Sequence, residues 1–284
     1  MQRILVCGCG YVGTAFALHA SALGHTLFGL RRHATGLPAP IEPIAWDLAA
    51  GPPSLPGALD AVVFAVGPGS ADEAAYRGAY VTAFERLAEG LRLAGARPAR
   101  LVFVSSTGVF PQDGGAWVDE SSRVEASSPA LAALLEGERL AAAAGAIVLR
   151  LGGIYGPGRA GLVERVASGA ARLPSAPLFS NRIHRDDCAG VLLHLLALAA
   201  PERLYLGVDR EPADQREVIA WLAARLGCPV PPVGDAADAH RPRGSKRCSS
   251  DRLARSGYAF RVPTYREGYA PLVAGVLAGA RVGR

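Results

Sequence analysis

The sequence predicts an α/β protein: a doubly wound parallel sheet covered by helices on both faces, with a smaller C-terminal lobe. Short apolar runs rich in β-branched residues alternate with helical stretches along most of the chain, the pattern of a parallel sheet joined by crossover helices. The first run, Ile4 to Cys7, breaks into Gly8-Cys9-Gly10-Tyr11-Val12-Gly13 and then into an amphipathic stretch, which is G-x-G-x-x-G between a strand and a helix. With 284 residues and 50% hydrophobic composition, the chain can bury one large core and still carry a second, smaller lobe.

In the first turn, Gly8 makes the bend, Gly10 lets a pyrophosphate approach the backbone, and Gly13 lets helix and strand pack closely. The N–H groups around Tyr11 and Val12 open the helix and face an anion. The second strand, Thr26 to Leu30, ends in Arg31-Arg32 rather than the acid that would accept a ribose 2′-hydroxyl. Two guanidiniums there match a 2′-phosphate, so NADP(H) is expected in preference to NAD(H). Strand three spans Pro43 to Trp46, with Asp47 facing the adenine side. Strand four, Ala61 to Val66, is followed by Gly67-Pro68-Gly69, which places Ala65 and Val66 beside the cofactor.

A helix follows from about Asp72 to Ala94, its Tyr76 and Tyr80 assigned to packing. Strand five, Leu101 to Val104, runs into Ser105 and Ser106, with Ser105 assigned to the cofactor site. A helix covers about Pro129 to Ala143, and strand six is Ile147 to Leu151. Near the end of the alternating region, Asp186 or Asp187 caps a helix from Cys188 to Ala199.

The net charge of +5 admits an anionic ligand. From Pro229 to Arg284 ten Arg or Lys stand against four Asp or Glu, with Arg241, Arg243, Lys246 and Arg247 gathered in one stretch. No zinc-finger spacing or basic recognition helix is present, so nucleic acid is not expected. Met1 leads straight into a strand and the longest apolar run, Val191 to Ala200, is too short for a bilayer, so a cytoplasmic protein without membrane contact is expected. Five cysteines fit a reducing compartment; Cys7 and Cys9 read as small buried residues, and no metal site is expected.

Gly8 to Gly13, Asp60 to Ala65, Val104 to Phe110, Arg150 to Pro157, Arg182 to Asp187 and Ser245 to Leu253 together resemble an extended short-chain dehydrogenase/reductase of the NAD-dependent epimerase/dehydratase type. The resemblance implies a Rossmann domain over residues 1–151 and 182–209 and a substrate lobe over 152–181 and 210–284. It also implies chemistry on a sugar nucleotide or related carbonyl compound, with a homodimer as an admissible assembly.

The resemblance fails at the reacting centre. Family members place Tyr-x-x-x-Lys on the helix after strand five, and this chain has Ala130 and Leu134 there; its only lysine is Lys246. Ser106 matches the family's carbonyl-polarising Ser/Thr. The proton would come from Tyr155, His184 or a water. Two functions stay open: an NADP(H)-dependent enzyme of atypical chemistry acting on a small anionic substrate, or a non-catalytic NADP(H)-binding sensor or scaffold.

Overall fold

The computed structural model describes residues 1–234 and 244–282. Its N-terminal half runs β1 (Arg3–Cys7), α1 (Tyr11–Ala22), β2 (Thr26–Arg31), β3 (Glu42–Ala45), β4 (Ala61–Phe64), α2 (Glu73–Arg77), a π-helical turn (Gly78–Thr82), α3 (Ala83–Leu93), β5 (Arg100–Ser106), β6 (Ala116–Val118) and α4 (Pro129–Ala143). Then come β7 (Ile147–Leu151), β8 (Gly153–Tyr155), α5 (Gly161–Ala167), β9 (Phe179–Ser180), β10 (Arg182–His184), α6 (Arg185–Ala197), β11 (Leu204–Gly207), β12 (Ala213–Asp214), α7 (Gln215–Leu226), β13 (Lys246–Cys248), α8 (Asp251–Arg255) and α9 (Tyr265–Val282).

The main sheet has seven strands in the order β11-β7-β5-β4-β1-β2-β3. Pairings from β3 through β5 are parallel, with Leu5 opposite Phe28 on one side and Val62 on the other. Strands buried on both faces read as continuous apolar runs, which is why β1 and β4 were legible. Progression from β1 to β3 moves outward in one direction and from β4 onward in the other. The reversal opens a crevice at the carboxyl ends of β1 and β4.

The helix expected from Asp72 to Ala94 forms, with Asp72 accepting from the Ala75 N–H at 2.9 Å as its cap and a π-helical turn at Gly78–Thr82. Phe84 on α3 packs edge-on against Phe64, while Phe103 stacks on Phe64 and meets Tyr80. α4 starts at Pro129 after Ser128, whose hydroxyl accepts from the Leu131 N–H. The third strand is shifted one residue, to Glu42–Ala45.

The chain divides into two compact units, Met1–Val109 with Val124–Arg150 and Cys188–Tyr205, and Phe110–Arg123 with Leu151–Asp187 and Leu206–Arg284. The sequence reading gave 110–123, 151, 182–187 and 206–209 to the first, whereas these fall in the second unit, in which β6 pairs with β13 and β10 with β8. The second unit's core is built from α5, α7 and α9, with Val163, Val166, Val218, Leu222, Tyr265 and Tyr269 buried together. Asp214 caps α7, and Gly227, at φ +68, ends it in the left-handed conformation. Among the described residues, no helix is long and apolar enough to cross a membrane.

Candidate cofactor cleft and reacting residues

A cleft of about 560 Å³ opens in the first unit at the carboxyl ends of β1, β2 and β4. Gly8, Gly10, Arg31, Arg32, Asp47, Ala65 and Val66 line it, seven of the residues assigned to the cofactor from sequence. Cys9, Trp46 and Gly67 to Gly69 line it too.

The three glycines do different work. A Cβ on Gly8 (φ +87) would stand 2.5 Å from the Val66 nitrogen, and one on Gly13 would stand 2.6 Å from the Gly8 oxygen. Gly13 is thus a packing residue that leaves the cleft to others. Gly10 has no atom within 4 Å of where its Cβ would be, so the space it leaves is open cleft. No side chain caps α1 and no acid lies in its first turn, which leaves its N-terminus to an anion. Tyr11 and Val12, in that turn, are not cleft-lining; Val12 is buried.

Arg31 donates from Nη2 to the Thr35 carbonyl at 2.9 Å, while its buried Nε lacks a partner. Asp47 accepts from the Ala49 N–H at 3.0 Å and thereby closes the turn that carries it. The cleft therefore fits a dinucleotide in three independent respects: an open glycine cradle, an uncapped helix start, and an orphaned guanidinium nitrogen. The Cys9 thiol is held up from its ordinary range by burial, against the pull of Thr14 and Arg31. Among the described residues no group of His, Cys, Asp or Glu is arranged for a metal.

Ser105 belongs to a buried cluster. Its side chain donates to Glu138 Oε1 at 2.5 Å, while Arg150 holds both oxygens of Glu138, Nε at 2.9 Å and Nη2 at 2.6 Å. All three are buried. Ser106, the next residue, is half-buried and its Oγ accepts from the Gly108 N–H at 3.1 Å, which orients the hydroxyl. Ala130 and Leu134 are buried on α4, Leu134 completely, so the two positions at which the resemblance expects a tyrosine and a lysine are core here.

Tyr155 and His184 lie side by side in the second unit, ring centroids 5.4 Å apart. Tyr155 is a core residue: its hydroxyl lies so close to α9 that a Cβ on Gly268 would overlap it, it has no hydrogen-bond partner, and burial pushes its pKa up. A phenol so placed packs against α9 and keeps its proton. The Tyr155 to Arg159 pair is broken by a tight turn bridging Gly156 and Arg159. His184 is the last residue of β10 and stands at the start of α6. Its Nδ1 accepts from the Asp186 N–H at 3.3 Å and so caps α6, and burial lowers its pKa, keeping the ring neutral.

The capping assigned to Asp186 or Asp187 thus falls to His184. Asp187, wholly buried, accepts from the Tyr258 hydroxyl at 2.7 Å and from the Arg261 and Val262 N–H groups at 2.8 and 2.9 Å, pinning that segment. Arg241 and Arg243 lie outside the described residues. Lys246 is buried in β13.

Sequence reasoning passed over Asp209. It is 1% exposed, Oδ1 accepts from the Glu211 N–H at 3.2 Å, and Oδ2 has no partner. Burial, first, with Glu211 and Asp187 adding to it against Arg182, pushes its pKa up to about 8. The folded state therefore keeps a proton that the unfolded chain releases near pH 4. This contribution to stability is complete below about pH 4 and is lost as pH rises to about 8, by up to about 1.4 kcal/mol per unit. Asp209→Asn should abolish that slope. Melting temperatures across pH 5 to 9 should converge at low pH and favour the variant at high pH, and parallel curves would count against it.

No family model matches the chain. A 3-diazoavenalumate denitrifying reductase from a Streptomyces species is 31% identical over 206 residues, 64% of this chain and 67% of that protein. The solved structure of a Methylobacillus flagellatus protein assigned as an NAD-dependent epimerase/dehydratase is 32% identical, covers 97% of this chain and 98% of its own, and superposes with a TM-score of 0.79. A human epimerase family protein, SDR39U1, solved with NADPH, shares the fold at 22% identity and a TM-score of 0.78, covering 96% of this chain and 99% of its own. With the glycine turn, the strand order and these two relatives above 30% identity in agreement, the chain belongs to the NAD-dependent epimerase/dehydratase family.

Proposed function

We propose that the protein is an NADP(H)-dependent reductase of a small anionic substrate, a sugar nucleotide or related carbonyl compound, working without the family's Tyr-Lys pair. The observation that carries this reading is Arg31 and Arg32 lining the cleft, with Arg31 Nε buried and unpartnered. The Streptomyces relative's name, a reductase, supports the reductive direction.

Bound NADPH would supply a hydride. Gly8 and Gly10 would admit the pyrophosphate to the start of α1, and Arg31 and Arg32 would pair with the 2′-phosphate. Ser106 Oγ accepts from Gly108 and keeps its own proton, which it can donate to a substrate oxygen. With Tyr155 and His184 committed to packing and capping, water is the proton source this reading favours. Loss of a positioned acid/base costs on the order of 10² to 10⁴ in rate, so slow turnover is expected.

Calorimetry should find NADPH bound at least about tenfold more tightly than NADH, and Arg31→Ala with Arg32→Ala should weaken NADPH about ten- to a hundredfold while sparing NADH. Equal affinities in the wild-type protein would remove the cofactor argument. A second reading, a sensor without turnover, is favoured by Ala130 and Leu134, buried at the catalytic positions. Tight NADPH binding with no NADPH oxidation by carbonyl or nucleotide-sugar substrates would decide for it.

A further inference from the structure

The second unit carries a built site that the glycine turn and Ser106 do not account for. β13 runs parallel to β6, with Arg247 opposite Trp117. Its neighbours Lys246 and Cys248 are buried, so strand alternation turns Arg247 to the opposite face. One side chain pins the backbone on both sides of it: Asn181 Nδ2 donates to the Lys246 carbonyl at 3.0 Å, and Asn181 Oδ1 accepts from the Cys248 N–H at 2.7 Å. Ser245, just before, donates its N–H to Asp113 at 2.6 Å and accepts from the Phe179 N–H at 2.9 Å.

The guanidinium is fixed as firmly as its backbone. Its carbon lies 5.0 Å from the centroid of Trp117 and 4.8 Å from that of Phe179, and Nε donates to the Gly115 carbonyl at 2.6 Å. Gly115, at φ +75, allows this closure, because a Cβ there would stand 2.8 Å from the Phe179 ring. No carboxylate among the described residues pairs with Arg247. Among the described residues, the two terminal nitrogens are therefore held in place with no carboxylate to match their charge. Beside them Trp117 is 58% exposed, a large apolar residue left to solvent.

We infer that Arg247, Trp117 and Phe179 form the anchoring subsite for the substrate, taking an oxyanion carried beside a flat unsaturated ring. The oxyanion meets the guanidinium fork, and the ring lies on the indole. An aryl carboxylate and a nucleoside phosphate both present this chemistry. The inference deepens the reductase reading by naming the class of substrate, and rests on it for that term.

The test titrates the full chain with cinnamate and with uridine diphosphate, using benzamide and uridine as uncharged controls, and follows calorimetry and tryptophan fluorescence. One charged probe should bind at submillimolar concentration and its uncharged control at least about tenfold more weakly. Arg247→Gln should weaken the charged probe by about tenfold or more, Arg247→Lys nearly as much through loss of the fork, and Trp117→Ala severalfold, all without change in NADPH affinity. The tighter of the two probes identifies the source of the oxyanion. Absence of binding by both, or equal binding by wild type and Arg247→Gln, overturns the subsite. Should Arg247→Gln not fold, Trp117→Ala, at an exposed position, decides on the same criterion. NADPH binding without probe binding sinks this inference alone, whereas a chain that does not bind NADPH sinks the reductase reading and leaves the probe result to stand by itself.

Discussion

Gly10→Val should leave the melting temperature of the free protein almost unchanged and abolish its rise with NADPH. Gly10 has a negative φ, −97, outside the left-handed region that favours glycine, and nothing lies within 4 Å of its Cβ position. The added side chain therefore fills cleft rather than core. At a hundredfold excess over Kd, NADPH should stabilise the wild-type protein by about 2.7 kcal/mol, and this whole increment should vanish in the variant. Gly8→Ala and Gly13→Ala provide the contrast. Their Cβ atoms would meet backbone at 2.5 and 2.6 Å, so both should lower the melting temperature before any ligand is added. Thermal scans of the three variants with and without NADPH check this. A Gly10→Val protein that is still stabilised by NADPH would place the cofactor elsewhere.

The second large effect is on the fold. Glu138→Ala should destabilise the protein by about 3 to 5 kcal/mol, because Arg150 would keep its buried charge and lose the carboxylate that it meets through two nitrogens. For a chain of this size that is a fall on the order of 10 °C in melting temperature. Ser105→Ala removes only a donor to Glu138, and should cost about 1 kcal/mol. Replacing the pair together, Glu138→Leu with Arg150→Met, should recover much of the loss, since two apolar side chains of similar volume leave no charge buried. Denaturant unfolding of the three variants measures the order, and a Glu138→Ala protein as stable as wild type would show that the ion pair is solvated.

The elements nearest the glycine turn were legible because each is set by local chemistry. Gly8 to Gly13 is a turn between two patterned segments, and the helix at Pro129–Ala143 begins at a proline behind a capping serine. What escaped was assembled over distance. Asp187 serves N–H groups on Arg261 and Val262, far along the chain, and so looked like an ordinary capping residue. Ser105, Glu138 and Arg150 come from β5, α4 and β7, and nothing local ties them together. One signal was present: Arg150 interrupts the apolar strand Ile147–Leu151, and a charge in a doubly covered strand demands a buried partner. The surroundings of Tyr155 were hidden for the same reason. The sequence showed a tyrosine after a strand near a cation, but not the helix α9 whose Gly268 receives the hydroxyl.

The residue before Glu138 links the helices to the cleft. A Cβ on Gly137 would stand 2.6 Å from the Tyr80 carbonyl oxygen in the π-helical turn, and Gly78 and Ala79 of that turn form part of the cleft wall. The wall is thus gauged against α4, a spacing that one methyl group would alter. Changes at position 137 should therefore weaken NADPH binding in calorimetry, although Gly137 does not line the cleft. The contact between α4 and the π-helical turn thus acts as a spacer for the cleft wall.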